Sequence, residues 1–291
     1  MFYLLRKLYL SRTTFLLVSS FLISSVCHAQ EIFKPETIEQ IDTIAHHIDQ
    51  AKKLFNELNN HTHLVDKRSH RSKENKTTDE LSINASHITT PKQKYIVTQA
   101  PRKKTTKNFW KLVLDRNCKL ILTLCMPLEN HHERCAPYWK KPFYPKKMMD
   151  WKISFLDETI VLEGPSPHRI VERRFLLRNT KTRDERTIVQ LHYENWPDYG
   201  VPDLSLFQTY LDLVDENSAH SSSPILVHCV AGIGRSGTLV AAHSLRKELL
   251  AGKTEISIPQ RIYELRKQRR SLVTTPKQFQ CIYQTLLPFF K

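Results

Sequence analysis

The segment from His228 to Gly237 reads HCVAGIGRSG and holds three of the six glycines in this 291-residue chain. An apolar run, residues 224–227, precedes it, and a helical pattern, residues 238–250, follows it. Glycine is needed where a backbone adopts positive φ or passes close to a ligand. A strand, a tight loop and a helix N-terminus gather backbone N–H groups and the positive end of a helix dipole around one point. The segment therefore predicts an α/β unit whose loop binds an anion.

Two side chains of this loop suit phosphate chemistry. Cys229 lies where N–H groups, a helix N-terminus and a guanidinium all favour the reactive thiolate. Arg235, six residues later, carries a planar fork that matches two oxygens of a phosphoryl group. Ser236 is expected to direct its hydroxyl toward the Cys229 sulfur. The alternative, a buried structural cysteine in a strand-to-helix turn, is less favoured because of the spacing and the glycines.

A second segment offers a proton donor. Cleavage of a phosphate ester needs a proton for the departing oxygen, which a carboxylic acid can supply. Residues 196–202 read WPDYGVP and follow an alternating strand pattern. Two prolines and a glycine indicate a loop at this place. Asp198 is the candidate acid, and the alternative is a solvated aspartate in an ordinary turn.

These two segments resemble the H-C-x5-R-S/T-G signature and the acid loop of the cysteine-dependent protein tyrosine phosphatases, in their tyrosine-specific branch. Residues 83–86 (INAS), 95–101 (YIVTQAP) and 108–110 (NFW) resemble further family segments in the same order. The resemblance implies a single α/β domain with a twisted mixed sheet flanked by helices. It also implies hydrolysis of phosphotyrosine in a protein substrate through a phosphocysteine on Cys229. Asp198 is then the general acid and base, and no metal or cofactor is expected.

The other site residues follow from the resemblance alone. The implied phosphate-binding loop comprises Val230, Ala231, Gly232, Ile233, Gly234 and Arg235. Gln278 is expected to position the hydrolytic water. The implied supporting residues are Glu129, which orients Arg235, Arg134 beside the acid loop, the acid-loop hinge Trp196, and Tyr138, which holds His228.

Three positions depart from the family pattern. Val230 replaces a serine, which removes one hydroxyl donor but leaves the backbone of the loop intact. Thr274 replaces the first of two glutamines in the water-positioning loop, and this predicts slower breakdown of the phosphocysteine. Residues 61–71 hold no tyrosine where the family has its phosphotyrosine-recognition loop. His61 or His63 could stack there instead, but a polar, solvated loop is the favoured interpretation.

Two alternative functions stay open. The missing tyrosine and the formal net charge of +15 favour a phosphatase of phosphoinositides or inositol phosphates, because a positive field attracts anionic substrates. Thr274 favours a catalytically impaired phosphotyrosine-binding module, although the intact nucleophile, arginine and acid count against it. Nucleic acid is not expected as a partner, because no nucleic-acid motif accompanies the basic runs. We interpret these runs, among them residues 266–270, mostly as solvated faces.

The first 29 residues have the pattern of a signal peptide. Arg6, Lys7 and Arg12 form a basic region, residues 13–26 are almost all apolar or small, and small residues surround a cleavage position after Ala29. The apolar run is short for a membrane span, so we expect no stable span after cleavage. A retained signal anchor is the alternative. The pattern predicts a bacterial-type exported protein, periplasmic or secreted.

The predicted organisation is a signal peptide (1–29), an amphipathic helix with a basic loop (30–80) and a catalytic domain (81–291). Apolar residues between 38 and 58 have helical spacing, whereas residues 60–80 are polar and predict a loop. The sequence carries no signal for an oligomeric state. An odd number of irregularly spaced cysteines predicts neither a disulfide framework nor a metal site, the five outside the leader being Cys118, Cys125, Cys135, Cys229 and Cys281.

Overall fold

The computed structural model describes residues 31–68, 83–144, 147–219 and 221–290. The predicted signal peptide and most of the predicted basic loop lie outside these ranges. The strands are β1 (Ala85–Thr89), β2 (Lys94–Thr98), β3 (Leu120–Thr123), β4 (Leu128–Glu129), β5 (His132–Glu133), β6 (Lys147–Met148), β7 (Trp151–Glu163), β8 (Arg169–Asn179), β9 (Glu185–Glu194) and β10 (Ile225–His228).

Eight of these strands form one mixed sheet in the order β1-β2-β10-β3-β9-β8-β7-β6, and β4 and β5 form a separate hairpin. The four strands β2, β10, β3 and β9 are parallel, and the remaining pairs are antiparallel. Every residue of β3 and β10 is buried, as expected for parallel strands covered on both faces. The predicted mixed sheet is confirmed. The carboxyl ends of its parallel strands meet at one edge, where α/β proteins bind ligands.

Helices cover both faces of the sheet and divide the apolar residues into two buried clusters. One cluster lies under α3 and the other under the remaining helices. The helices are α1 (Ile38–His46), α2 (Ile48–Arg68), α3 (Thr106–Asp115), α4 (Leu204–Ser218), α5 (Gly234–Leu250), α6 (Ile258–Gln268) and α7 (Pro276–Leu286), with 3-10 turns at Lys103–Thr105 and Leu287–Phe290.

Local capping fixes where two helices near the site begin. The Thr275 hydroxyl accepts a hydrogen bond from the backbone N–H of Gln278 and starts α7, with proline in its first turn. The Asp203 carboxylate accepts one from Leu206 and starts α4 just after the acid loop. Such caps each stabilise a helix by about 1 kcal/mol. They place Gln278 in the first turn of α7 and end the acid loop at a defined point.

The N-terminal region differs from its prediction. Two helices replace the single expected one, because His47 adopts an extended conformation between α1 and α2. Helix α2 continues to Arg68, so residues 60–68 form helix rather than loop. No glycine or proline interrupts residues 48–68, and polar residues alone do not end a helix that packs on one face. Phe55 of α2 packs against Phe279 of α7, with ring centroids 5.6 Å apart.

Within the described ranges, the structure holds no helix with the length and apolar character to cross a bilayer.

Candidate active site

The backbone carbonyl groups of the loop between β10 and α5 accept hydrogen bonds from other parts of the chain. Val230 O accepts from Ala100 N at 2.9 Å, and Ile233 O accepts from Gly237 N at 2.9 Å. Arg269 donates to the carbonyls of Ala231 (3.0 Å) and Gly232 (2.7 Å). Among the described residues, no hydrogen bond uses the N–H groups of residues 230–233 as donors. These N–H groups remain available beside a helix N-terminus, which is the arrangement that binds phosphate.

Gly232 is required by its backbone and by a neighbouring strand. Its φ is +67°, and a Cβ added there would lie 2.2 Å from the carbonyl oxygen of Thr98. Non-glycine residues disfavour this conformation, and no real Cβ tolerates that contact. The loop can therefore pass close to β2 only with glycine at position 232.

Arg269 was missed by the sequence analysis. Only 7% of it is exposed, and it also donates to Asn84 Oδ1 (3.0 Å) and Ser86 Oγ (3.1 Å), so it ties the INAS element to the phosphate loop. Burial lowers its pKa, and the nearby Cys229 opposes this. Arg266 is also buried and donates to the carbonyls of Leu272 and Val273. The interpretation of residues 266–270 as a solvated face is wrong for both arginines, and a run of cations carries no local signal of this burial.

Cys229 follows directly after β10 and is 3% exposed, with a free thiol. Its neighbour His228 is fully buried. His228 Nε2 lies 2.9 Å from the Tyr138 hydroxyl and 3.1 Å from Thr123 Oγ1, and His228 Nδ1 lies 3.2 Å from the Cys229 carbonyl oxygen. The structure thus brings Tyr138 to His228. Gln190, which the sequence analysis also missed, donates from one amide nitrogen to both hydroxyls, at 2.7 and 2.9 Å.

Arg235, in the first turn of α5, contacts both the β4–β5 hairpin and the acid loop. Its guanidinium donates to both oxygens of Glu129 (2.6 and 3.0 Å), to the Trp196 carbonyl (2.9 Å) and to Asp198 Oδ1 (3.0 Å). Burial opposes the charged form, but the hydrogen bond that Arg235 donates to Glu129 and the charge of Cys229 raise the pKa of Arg235 above its ordinary value. The arginine is therefore a permanent cation, 1% exposed, at the mouth of the N–H cradle.

The acid loop lies against this arginine and against the start of α7. Trp196 is buried against Tyr193 and Phe207, and its indole N–H donates to Gly200 O at 3.1 Å. Gln278 Nε2 donates to the same carbonyl at 3.2 Å. The positive φ of Tyr199, +58°, turns the chain between Asp198 and Gly200. The predicted acid and hinge are thus both in contact with the phosphate-binding segments.

Gln278 contacts the substituted position of the water-positioning loop. Its Oε1 accepts from the backbone N–H of Thr274 (3.0 Å) and from the Thr274 hydroxyl (2.9 Å). A Cβ on Gly234 would lie 2.7 Å from Thr274 Oγ1 and 3.1 Å from Gln278 Nε2, so both side chains lie against the phosphate loop. In this arrangement the side-chain oxygen of Gln278 accepts hydrogen bonds from Thr274, while the side-chain NH2 of Gln278 donates to the acid loop.

One expected side-chain contact is absent. Ser236 Oγ is fully buried and has no hydrogen-bond partner among the described residues, so its predicted bond to Cys229 is not formed. The first turn of α5 fixes the position of Ser236, but rotation of its side chain decides what the hydroxyl meets. Arg134, which the resemblance places beside the acid loop, has its Nε buried without a hydrogen-bond partner in the described part of the chain.

The segment expected to hold the recognition loop is helical as far as Arg68. The ring of His61 packs against Phe33 and Tyr263, at centroid distances of 5.0 and 5.6 Å. Stacking of His61 on a substrate is therefore not supported, because its ring already packs against these two aromatic residues. The side chain of His63 and residues 69–71 lie outside the described residues.

Comparison with known proteins places this geometry in a family. The family model described as Protein-tyrosine phosphatase matches residues 56–288. Tyrosine-protein phosphatase 2 of Dictyostelium discoideum is 34% identical over 208 residues, which are 69% of this chain and 52% of that protein. Tyrosine-protein phosphatase non-receptor type 18 of Mus musculus is 34% identical over 203 residues, 68% of this chain and 43% of that protein. The chain spans about half the length of these two curated relatives.

Two solved structures are similar to the fold. One comes from work on the PTPN18 fingerprint on distinct HER2 tyrosine phosphorylation sites, with a TM-score of 0.64 and 29% identity over 72% of this chain and 73% of that chain. The other is PTPN18 in complex with HER2 phosphopeptides, with a TM-score of 0.64 and 27% identity over 78% and 75% of the two chains. With the family match and the phosphate loop around Cys229 and Arg235, these findings show that the chain belongs to the protein-tyrosine phosphatase family.

Proposed function

We propose that this chain hydrolyses phosphotyrosine in protein substrates through a phosphocysteine intermediate on Cys229. The observation that supports this proposal most directly is the position of Arg235. Its guanidinium is fixed by Glu129 and hydrogen-bonded to Asp198 at the open end of the N–H cradle. A cradle with a buried cation binds a phosphoryl dianion, and the same donors stabilise the charge that develops on its equatorial oxygens. The cysteine, the cation and the acid thus face one bound phosphate.

In the first step, the Cys229 thiolate attacks phosphorus while the bond between phosphorus and the tyrosyl oxygen breaks. The protonated carboxyl of Asp198 gives its proton to the leaving oxygen, so tyrosine departs as the neutral phenol. Substrate phosphate takes the Arg235 donor that Asp198 occupies in the structure, which frees the acid to turn toward the leaving group. Loop contacts at Trp196 and Gly200 hold the closed acid loop in place during this transfer.

In the second step, water attacks the phosphocysteine, Asp198 accepts the water's proton, and inorganic phosphate and the thiolate are released. Gln278 is the remaining amide that can orient this water. Its Oε1 is shared with Thr274, so the orientation is weaker than with a free amide oxygen. We propose that this second step is slow relative to the first.

A phosphotyrosyl protein is the favoured substrate because PTPN18, a similar structure, is solved with HER2 phosphopeptides. The alternatives, a phosphoinositide phosphatase and a binding module without turnover, have no comparable support. The test is phosphate release from a phosphotyrosyl peptide without added metal, beside the Cys229→Ser variant and beside inositol-phosphate substrates at equal concentration. Release that survives Cys229→Ser, or a preference for inositol phosphates, would overturn the proposal.

We also propose that the protein is exported by its first 29 residues and acts in the periplasm or outside a bacterial cell. The support is the basic region followed by the apolar run of residues 13–26 and the small residues before position 30. The proposed organisation keeps residues 30–80 as an N-terminal extension and residues 81–291 as the catalytic part. N-terminal sequencing of the chain recovered from fractionated cells tests this. A start at Gln30 in the exported fraction supports it, and an uncleaved chain in the cytosol contradicts it.

A further inference from the structure

Three soft ligand side chains meet directly behind the catalytic loop. The Cys125 thiol, the Cys135 thiol and one ring nitrogen of His228 all lie within 4.8 Å of one another, and all three residues are buried. The Cys125 sulfur is 3.9 Å from His228 Nδ1. Two thiolates and an imidazole bound to Zn²⁺ at about 2.3 and 2.0 Å hold their ligand atoms at similar separations. Only small shifts are therefore needed to close these ligands around an ion.

We propose that Cys125, Cys135 and His228 form a binding site for a thiophilic metal ion such as Zn²⁺, distinct from the phosphate loop. The ion would replace the two thiol protons, so one Zn²⁺ enters as two protons leave and the charges of cation and thiolates cancel. Sulfur and imidazole donors favour such ions over Mg²⁺ or Ca²⁺. Sequence spacing does not indicate this site, because its ligands come from three separate segments.

Both ring nitrogens of His228 have polar neighbours. Its Nδ1 lies 3.9 Å from the Cys125 sulfur and 3.2 Å from the Cys229 carbonyl oxygen, while its Nε2 lies 2.9 Å from the Tyr138 hydroxyl and 3.1 Å from Thr123 Oγ1. An ion bound to Nδ1 would replace the contact with the Cys229 carbonyl and leave the ring proton on Nε2. Metal-ligating histidines almost always donate their second ring N–H to such a partner, which fixes the tautomer. Gln190 donates to both hydroxyls and fixes them in turn. The two hydroxyls that would accept the Nε2 proton are therefore held in position.

The two cysteines flank the β4–β5 hairpin, which connects the proposed site to catalysis. The hairpin is solvent-facing, with Leu128 59% exposed and turn residues Asn130 and His131 at positive φ. Glu129 on the same hairpin holds Arg235. A metal that joins the two ends of the hairpin thus acts on the segment that positions the catalytic arginine.

Cd²⁺ is a suitable probe because its bonds to thiolates absorb in the ultraviolet. We expect the reduced full chain to bind one Cd²⁺ with this absorption and to release two protons. The absorption should be retained in Cys229→Ser, which removes the catalytic thiol, and in the matched control Cys118→Ser, a buried cysteine outside the cluster. It should be lost in Cys125→Ser and in Cys135→Ser. Tyr138→Phe, which removes an outer contact, should weaken binding about 10-fold.

A second measurement on the unaltered chain covers the case in which a variant fails to fold. Bound Zn²⁺ should protect Cys125 and Cys135, but not Cys118, from alkylation, as read by mass spectrometry. Loss of the Cd²⁺ absorption in Cys229→Ser would overturn the proposal, since the ion would then sit on the catalytic cysteine. Absence of stoichiometric binding to the reduced chain would overturn it as well, and so would alkylation of Cys125 and Cys135 in the metal-free chain that Zn²⁺ does not slow. None of these readouts needs phosphatase activity, so the outcome is independent of the proposed function.

Discussion

Glu129 and Arg235 are joined by two hydrogen bonds, of 2.6 and 3.0 Å, across 106 positions of sequence. The carboxylate stands on the β4–β5 hairpin and the guanidinium on the first turn of α5. This bidentate pair fixes the plane of the guanidinium fork, which must match two phosphate oxygens at once. The hairpin therefore positions the catalytic arginine although it contributes nothing to the phosphate loop itself.

Replacing Glu129 by Gln should lower kcat/KM for a phosphotyrosyl peptide by about 100-fold, because a preorganised donor in the phosphate site loses its orientation. The matched control is Glu133→Gln on the other strand of the hairpin, where the carboxylate is 70% exposed and pairs with Lys103. Steady-state kinetics of both variants check this. Equal losses of kcat/KM in the two variants would mean that activity depends on the hairpin as a whole rather than on the Glu129–Arg235 pair.

Asp198→Asn should lower kcat/KM about 100-fold or more for substrates with poor leaving groups, because general acid catalysis contributes at least that much. The loss should be smaller for p-nitrophenyl phosphate, because p-nitrophenolate is a good leaving group and needs less help from a proton donor. Asp203→Asn is the control, because Asp203 caps α4 and does not touch Arg235. The same loss in Asp198→Asn for good and poor leaving groups would remove Asp198 as the acid.

Thr274 should make hydrolysis of the phosphocysteine rate-limiting, because it shares the acceptor oxygen of Gln278. Rapid mixing with p-nitrophenyl phosphate should give a burst of about one nitrophenol per chain. Thr274→Gln should remove the burst and raise kcat, whereas the exposed neighbour change Lys277→Gln should leave both as they are. Linear product release in the unaltered chain would show that the second step is not slow.

Arg269→Ala should weaken binding of inorganic vanadate and lower kcat/KM about 100-fold, because the loop loses the bonds at Ala231 and Gly232 and shifts. The control is Lys267→Ala, an exposed cation of the same run whose ammonium stacks on Tyr263, and it should have little effect. Calorimetry of vanadate binding measures the affinity of the loop for an oxyanion directly, without a contribution from turnover. Vanadate affinity unchanged by Arg269→Ala would show that the loop holds its shape without this arginine.

Glu36 should make stability depend on pH. Burial raises the pKa of Glu36 from 4.5 to about 7, against the opposing effect of hydrogen bonds from Tyr283 and Ile258. The folded state therefore binds this proton more tightly than the unfolded state does. Its stabilising contribution is complete below about pH 4.5 and is lost as pH rises through 7, a change of about 3 kcal/mol in order of magnitude.

Urea unfolding at pH 5 and pH 8 measures this contribution. Glu36→Gln should reduce the loss of unfolding free energy between these two pH values, while Glu39→Gln, an exposed residue in the first turn of α1, should not. The comparison uses the difference between variants, so other titrating groups cancel. A pH dependence that is the same in all three chains would show that Glu36 titrates normally.

Local sequence was sufficient for the phosphate loop. Cys229 and Arg235 are six residues apart on a strand-to-helix turn, so their spacing and the three glycines predict the loop directly. The acid loop likewise carries its own turn residues. The mixed sheet was predicted from strand patterns and the family resemblance, and the sheet order confirms it.

The break at His47 and the helix as far as Arg68 were not predicted. Helical spacing shows which face of a segment is apolar, whereas packing on α7 decides where the segment bends and how far it stays helical. The polarity of residues 60–68 predicts a loop, because polarity alone does not show that neighbouring helices hold this segment in a helix. Their structure depends on packing against the neighbouring helices.

By itself the sequence was sufficient to propose the nucleophile, the phosphate-binding arginine and the acid, because the chemistry of each lies within one short segment. Tertiary structure alone decided which distant groups surround them. Arg269 lies in a basic run that looks solvated, yet it ties the phosphate loop. Cys125, Cys135 and His228 meet only because strand ends and a hairpin converge at one sheet edge. The physical reason is that burial and hydrogen bonding between segments depend on chain packing, which leaves no periodic or local pattern in any one of them.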